Sequence, residues 1–316
     1  MDFRPSLFVS KNANRVKKLN RILLPALLLM CCVTSCGIVH YRNSPTYYAG
    51  DPHKAGYTER GIIEEVVQPC SVPGPTQRRM IVYLPPEYYR DSTARYPVFY
   101  LLHGARGYET SWIRKGMVYE STDSLFREGL AVPCIVVMPN VNQYNDDKDY
   151  ENARFKDAYE SILEVNGVVE SAFVHDVVRL TDSLYRTIPD KDHRALAGLS
   201  IGGYQSIWLS ANHPDTFGYI GALSPYTWSM SWPNRYRRQF YSGLAGKLKK
   251  QFADPPKGYY LFAGKTDMMR PSTLSLHLYM EDRGYPHDYI VYPGGHTYKN
   301  GWIDEYQDML QRVFRD

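Results

Sequence analysis

An apolar run over residues 194–199 ends in Gly198-Leu199-Ser200-Ile201-Gly202 and passes at once into a helical pattern over 201–213. No other feature constrains the fold as tightly. A chain that goes from strand to helix with no linker must turn sharply at Ser200, and the hydroxyl then projects from the end of the strand. Gly198 and Gly202 flank that turn because a Cβ at either position would collide across it. A helix starting just after Ser200 points free backbone N–H groups and a positive dipole end at the same spot, where an anion would be stabilised.

The rest of the chain repeats the alternation. Residues 59–68 and 78–84 read as an opening strand pair separated by a turn-rich stretch, and apolar runs follow at 98–102, 134–138, 194–199, 219–223, 259–263 and 289–292. Helical patterns at 111–128, 168–187, 201–213, 272–283 and 302–314 lie between them. Continuous apolar strands alternating with amphipathic helices predict an α/β fold: a mainly parallel, eight-stranded sheet with helices on both faces. With the serine after the fifth strand, this is the arrangement of an α/β-hydrolase. Two long segments, 140–166 and 225–256, are rich in Tyr, Phe and Trp and read as a lid-like insertion shaping the mouth of a site.

The formal charge of +4 is a property of the N-terminus. Residues 1–35 hold six Lys/Arg and one Asp, and without them 31 basic and 32 acidic residues remain. With no basic patch or charge run left, nucleic acid is excluded as an expected partner. The basic stretch Lys17, Lys18 and Arg21 precedes about twelve mostly apolar residues, the length of a secretory h-region and too short to span a bilayer. Val33-Thr34-Ser35-Cys36 resembles a lipoprotein processing site. Residues 1–35 are therefore read as a lipoprotein-type signal peptide, Cys36 as the lipidated residue, 36–57 as a tether and 58–316 as the folded domain. A plain signal peptide cut near Ser35 or Gly37 is the alternative. The expected location is exported, periplasmic or outer-membrane, with membrane contact through the lipid alone. Of five Cys, Cys70 and Cys134 remain beyond the leader. They could pair in an exported protein, but Cys134 opens an apolar run and reads as a core residue. No Cys pair or His cluster shows metal-ligand spacing along the chain, so neither a metal nor a cofactor is expected.

A serine hydroxyl needs a base to take its proton and an acid to orient that base. Downstream of Ser200 stand His213, His277, His287 and His296. The first three lie at the end of a helix, within a helix and before the last strand, whereas His296 follows that strand in Tyr292-Pro-Gly-Gly-His-Thr297. The acid is expected after the preceding strand. Asp267, in Gly264-Lys-Thr-Asp267, meets that condition, while Asp254, Asp282 and Asp288 do not. The N–H of Ile201 and that of Ala105, in the loop His103-Gly104-Ala105-Arg106-Gly107 after the third strand, are the candidate oxyanion donors. Arg106, Tyr226 and Trp228 are candidate substrate contacts.

Four segments together resemble the esterase D-like family of α/β-hydrolases. They are Arg79-Met-Ile-Val-Tyr-Leu-Pro-Pro-Glu-Tyr88, Tyr96-Pro-Val-Phe-Tyr-Leu-Leu-His-Gly104, the stretch from His193 to Gly203, and Gly294-Gly-His296. Within that family the chain is most similar to the feruloyl and acetyl-xylan esterase group, over about residues 59–314. The resemblance carries the triad roles onto Ser200, Asp267 and His296, in agreement with the reading above. Two departures stand out. Thr297 replaces an Asp common after the family's His, and Trp302 falls six residues after His296 instead of five. The Ala105-Arg106 pair after His-Gly is closer to the mycolyltransferase branch.

The resemblance implies a serine carboxylesterase acting on feruloyl or acetyl esters of a plant-type oligo- or polysaccharide, or on another small ester. A siderophore (enterobactin-like) esterase or an acyltransferase is the alternative enzyme, and a non-catalytic sugar-binding lipoprotein is an alternative of another class.

Overall fold

The computed structural model describes residues 60–69, 77–105, 107–141, 172–226 and 234–315, all within the unit Thr46–Asp316. One eight-stranded sheet runs through them in the order β1-β2-β4-β3-β5-β6-β7-β8. The strands are β1 (Ile62–Pro69), β2 (Gln77–Leu84), β3 (Val98–Leu102), β4 (Ile135–Pro139), β5 (Arg194–Leu199), β6 (Tyr219–Leu223), β7 (Gly258–Gly264) and β8 (Asp288–Tyr292). β1 and β2 pair antiparallel, β2 joins β4 antiparallel, and from β4 to β8 every pairing is parallel. This is the α/β-hydrolase fold, with the expected strand number and direction.

The period-2 geometry of the strands divides the core between the two faces. Val98, Tyr100 and Leu102 face one apolar cluster, while Phe99 and Leu101 face the other. The first face is covered by α4 (Ile201–Asn212), α5 (Asn234–Gln251) and α6 (Arg270–Glu281), through Ile207, Trp208, Leu244, Leu248, Leu276 and Met280. The second is covered by α2 (Val118–Arg127) and α7 (Ile303–Arg312), through Val118, Leu125, Tyr306, Met309 and Leu310. Strands β3 to β7 are buried along their whole length, which is why they read as unbroken apolar runs. β8 is an edge strand and is largely half-exposed or exposed.

Three segments take a local form that the sequence pattern does not display. The pattern at 111–128 forms two helices, α1 (Ser111–Arg114) and α2. The chain breaks between them because Met117 takes φ 49°, and at Gly116 a Cβ would stand 2.4 Å from the Trp112 ring. The pattern at 168–187 enters the described residues at 172. It forms a wide turn at Val174–Val178 and then α3 (Arg179–Leu184), ending where Tyr185 becomes extended. The stretch 225–256, read as part of a lid-like insertion, contains the 18-residue helix α5. Its Leu244, Leu248 and Gln251 are buried at i, i+4 and i+7, a short stripe hidden in the sequence among lysines and glycines. The other proposed insertion, 140–166, lies almost wholly outside the described residues. Cys134 is a buried free thiol beside β4, as a core residue should be, and Cys70 lies outside the described residues.

Parallel pairing brings the carboxyl ends of the strands to one edge. Leu102 pairs with Gly198, Leu199 with Leu223, and Gly264 with Tyr292. Open α/β sheets place their sites at that edge.

Candidate active site

Ser200 sits between β5 and α4 with φ 54° and ψ −113°, a conformation costing about 1–3 kcal/mol for a non-glycine residue. Surrounding hydrogen bonds hold it there. Its N–H donates to Leu223 O at 2.8 Å, and its carbonyl accepts from Tyr204 N at 3.1 Å and Tyr226 N at 2.9 Å. The flanking glycines are needed sterically. A Cβ on Gly202 would lie 2.4 Å from His103 O, and one on Gly198 would lie 2.5 Å from the Gly202 carbonyl carbon.

Three side chains from three strand ends meet at this turn. Ser200 Oγ lies 2.9 Å from His296 Nε2, after β8, and His296 Nδ1 lies 2.9 and 3.0 Å from the two carboxylate oxygens of Asp267, after β7. The Asp267 carboxylate is fully buried, and its Oδ1 also accepts the Met269 N–H at 2.6 Å. A carboxylate on Nδ1 holds that nitrogen protonated and leaves the Nε2 lone pair facing the serine hydroxyl. His213, His277, His287, Asp254, Asp282 and Asp288 take no part in this chain of hydrogen bonds.

The loop that carries His296 runs to Trp302 through a backbone turn. Gly294 has φ 126°, and a Cβ there would lie 1.7 Å from Asn300 O. Asn300 itself is left-handed, with φ 58° inside the wide turn Tyr298–Trp302. Beyond this turn Trp302 meets the imidazole edge-on at 4.6 Å. Tyr298 packs on Trp302 at 5.0 Å and on Trp112 at 5.4 Å. Trp112 in turn donates its indole N–H to Leu102 O, at the end of β3. An aromatic chain thus connects the imidazole to the loop bearing Ala105.

His103 anchors that loop. Its Nδ1 donates to Gly104 O at 2.8 Å and its Nε2 accepts the Val141 N–H at 3.1 Å. Burial pushes its pKa down to about 4, so it stays neutral and structural. Ala105 is half-buried beside the core, and Ile201 opens α4, where the first N–H groups have no partner within the helix. Tyr226 is half-buried, and its backbone touches Ser200. Arg106, Trp228 and Cys36 lie outside the described residues.

Glu305 is a neighbour of the site that the sequence reading missed. It is fully buried on α7, and its Oε1 accepts the Ser224 hydroxyl at 3.2 Å while Oε2 has no hydrogen-bond partner among the described residues. Burial first, and then the negative charge of Asp267, push its carboxyl well above the usual carboxylate range. Its signal was available, since a glutamate shares the buried stripe Trp302, Tyr306, Met309 and Val313. The folded state holds this proton to higher pH than the unfolded chain does, so its contribution is full in acid and is lost as pH rises above the unfolded carboxyl value near 4.5. The variant Glu305→Gln is therefore expected to be more stable than the parent at pH 8, by about 1–3 kcal/mol. The gap should close near pH 4.5, and urea midpoints measured across that range check it.

The fold also brings together a group that no spacing along the chain displays. His277, Glu281 and His287 present ligand atoms within 4.8 Å of one another, away from the Ser200 site. The sequence hides this because His287 joins the other two only through the fold.

The chain is 30% identical over 198 residues to an endo-1,4-beta-xylanase/feruloyl esterase of Xylanibacter ruminicola. The match covers 61% of this chain but only 23% of that protein. In three dimensions it is similar to a ferulic acid esterase of Anaeromyces mucronatus, with a TM-score of 0.66 and 22% identity over 86% of this chain and 96% of that one. It is also similar to the enterobactin esterase of Shigella flexneri, with a TM-score of 0.59 and 19% identity over 79% and 58% of the two chains. A family model described as Putative esterase matches residues 75–313, most of the length of the sequence, and the chain belongs to that family.

Proposed function

We propose that this protein is a serine carboxylesterase that hydrolyses feruloyl or acetyl esters on a plant-type polysaccharide, with Ser200 as nucleophile, His296 as base and Asp267 as its orienting acid. The observation that carries this reading is the unbroken run of hydrogen bonds from Ser200 Oγ through both nitrogens of His296 to Asp267. His296 Nε2 takes the serine proton as Oγ attacks the ester carbonyl, and the N–H groups of Ala105 and Ile201 receive the oxyanion. The imidazolium returns its proton to the departing sugar oxygen. Water, deprotonated by the same nitrogen, then attacks the acyl-enzyme and releases the acid with Ser200 restored.

Likeness to a xylanase/feruloyl esterase and to a ferulic acid esterase supports the choice of acyl group. The likeness to an enterobactin esterase favours one rival, an aromatic siderophore ester. Hydrolysis rates on methyl ferulate, p-nitrophenyl acetate and a catecholate ester separate the two. Ferulate turnover at least tenfold above catecholate turnover is expected, and the reverse order would replace the polysaccharide reading. The basic stretch, short apolar run and Val33-Thr34-Ser35-Cys36 support export and lipidation at Cys36. Incorporation of labelled palmitate, lost in Cys36→Ser, is the expected result, and retained label in that variant would remove the anchor.

A further inference from the structure

We propose that His277, Glu281 and His287 form a binding site for one divalent transition-metal ion of the zinc type, independent of the esterase site. His277 and Glu281 are four residues apart on α6 and so share one face of it. After the helix, Gly284 N–H donates to Glu281 O and Tyr285 N–H to Met280 O, each at 3.0 Å, turning the chain back on itself. His287 then arrives one residue before β8, with its Nε2 at 2.9 Å from His277 Nδ1.

The arrangement around the imidazoles is that of a metal ligand set. His287 places its Nδ1 at 2.7 Å from Tyr285 O, so Nδ1 carries the proton and Nε2 presents a lone pair toward His277. Metal-bound histidines characteristically donate their second nitrogen to a backbone carbonyl in this way, which fixes tautomer and ring orientation. The His277 ring is stacked on Tyr289 at 4.7 Å and 19°, which restricts its rotation. Arg283, the nearest cation in sequence, is engaged with the Tyr279 ring and Asp282.

Two imidazole nitrogens and one carboxylate suit zinc and its neighbours better than calcium or magnesium, and they leave a fourth position for water. Tetrahedral zinc holds its nitrogen ligands about 3.3 Å apart, so the ring pair need open by only a few tenths of an ångström. His277 must release its Nδ1 proton to coordinate, and that proton moves to its own Nε2, leaving the net charge of the imidazole unchanged. The site lies at the entrance of β8 and His296 at its exit, so the ion would tie the end of α6 to the edge strand without touching the reacting groups.

The test is zinc binding by the purified full-length protein, measured by equilibrium dialysis and thermal unfolding, with cobalt(II) absorption as a report on coordination. One equivalent bound, a rise in melting temperature of about 2–5 °C and loss of both in His277→Ala and in His287→Ala are expected. Glu281→Gln, an exposed position that threatens no core, should weaken binding at least tenfold. Ester hydrolysis should be unchanged by zinc in the parent protein. No binding, binding that survives in all three variants, or zinc that acts by inhibiting the Ser200 site would overturn the assignment.

Discussion

Replacing Ser200 by alanine is expected to lower kcat by about 10⁵–10⁶-fold, the scale of loss when the nucleophile of a serine–histidine–acid unit is removed. The physical reason is that Ser200 Oγ is the group that stands 2.9 Å from His296 Nε2. Without Oγ, the imidazole can only assist water, which is not held in place by a covalent chain. The hydrogen bonds that hold the strained turn come from the Ser200 backbone, to Leu223, Tyr204 and Tyr226, and alanine keeps all of them. The urea midpoint should therefore stay where it is while turnover vanishes. Residual activity within tenfold of the parent would move the nucleophile elsewhere.

Asp267→Asn is expected to lower kcat by about 10⁴-fold with little change in KM. An asparagine fits the buried site, but its amide can donate to Nδ1, and the imidazole then carries its proton on Nε2. That proton faces the Ser200 hydroxyl where a lone pair is needed. The Met269 N–H continues to find an oxygen at residue 267, so the loop keeps its geometry. Steady-state kinetics beside a circular dichroism melt distinguish this from unfolding. An equal rise in KM would indicate that the loop, and not the tautomer, had changed.

The candidate site was legible to an unusual degree because each of its members follows a strand. Ser200, Asp267 and His296 come one, three and four residues after the ends of β5, β7 and β8, and apolar runs with a glycine close by mark those ends. Elimination by position was enough to pass over His213, His277 and His287. α5 was illegible because Leu244 and Leu248 make a stripe too short to stand out in a stretch otherwise polar and aromatic. The break between α1 and α2 depends on Gly116 passing close to Trp112, a contact that sequence spacing does not display.

Strand number, the order of site residues along the chain and the sharp turn at Ser200 followed from the sequence by itself, since periodicity, glycine placement and strand ends are local properties. Tertiary structure alone decided what lies behind and beside them. It set Glu305 within the field of Asp267, brought Trp302 edge-on to His296 through a left-handed Asn300, and joined His287 to a pair on α6. Each of these is a meeting between elements with separate local codes, and its distance and burial arise only when the sheet closes and the helices pack against it.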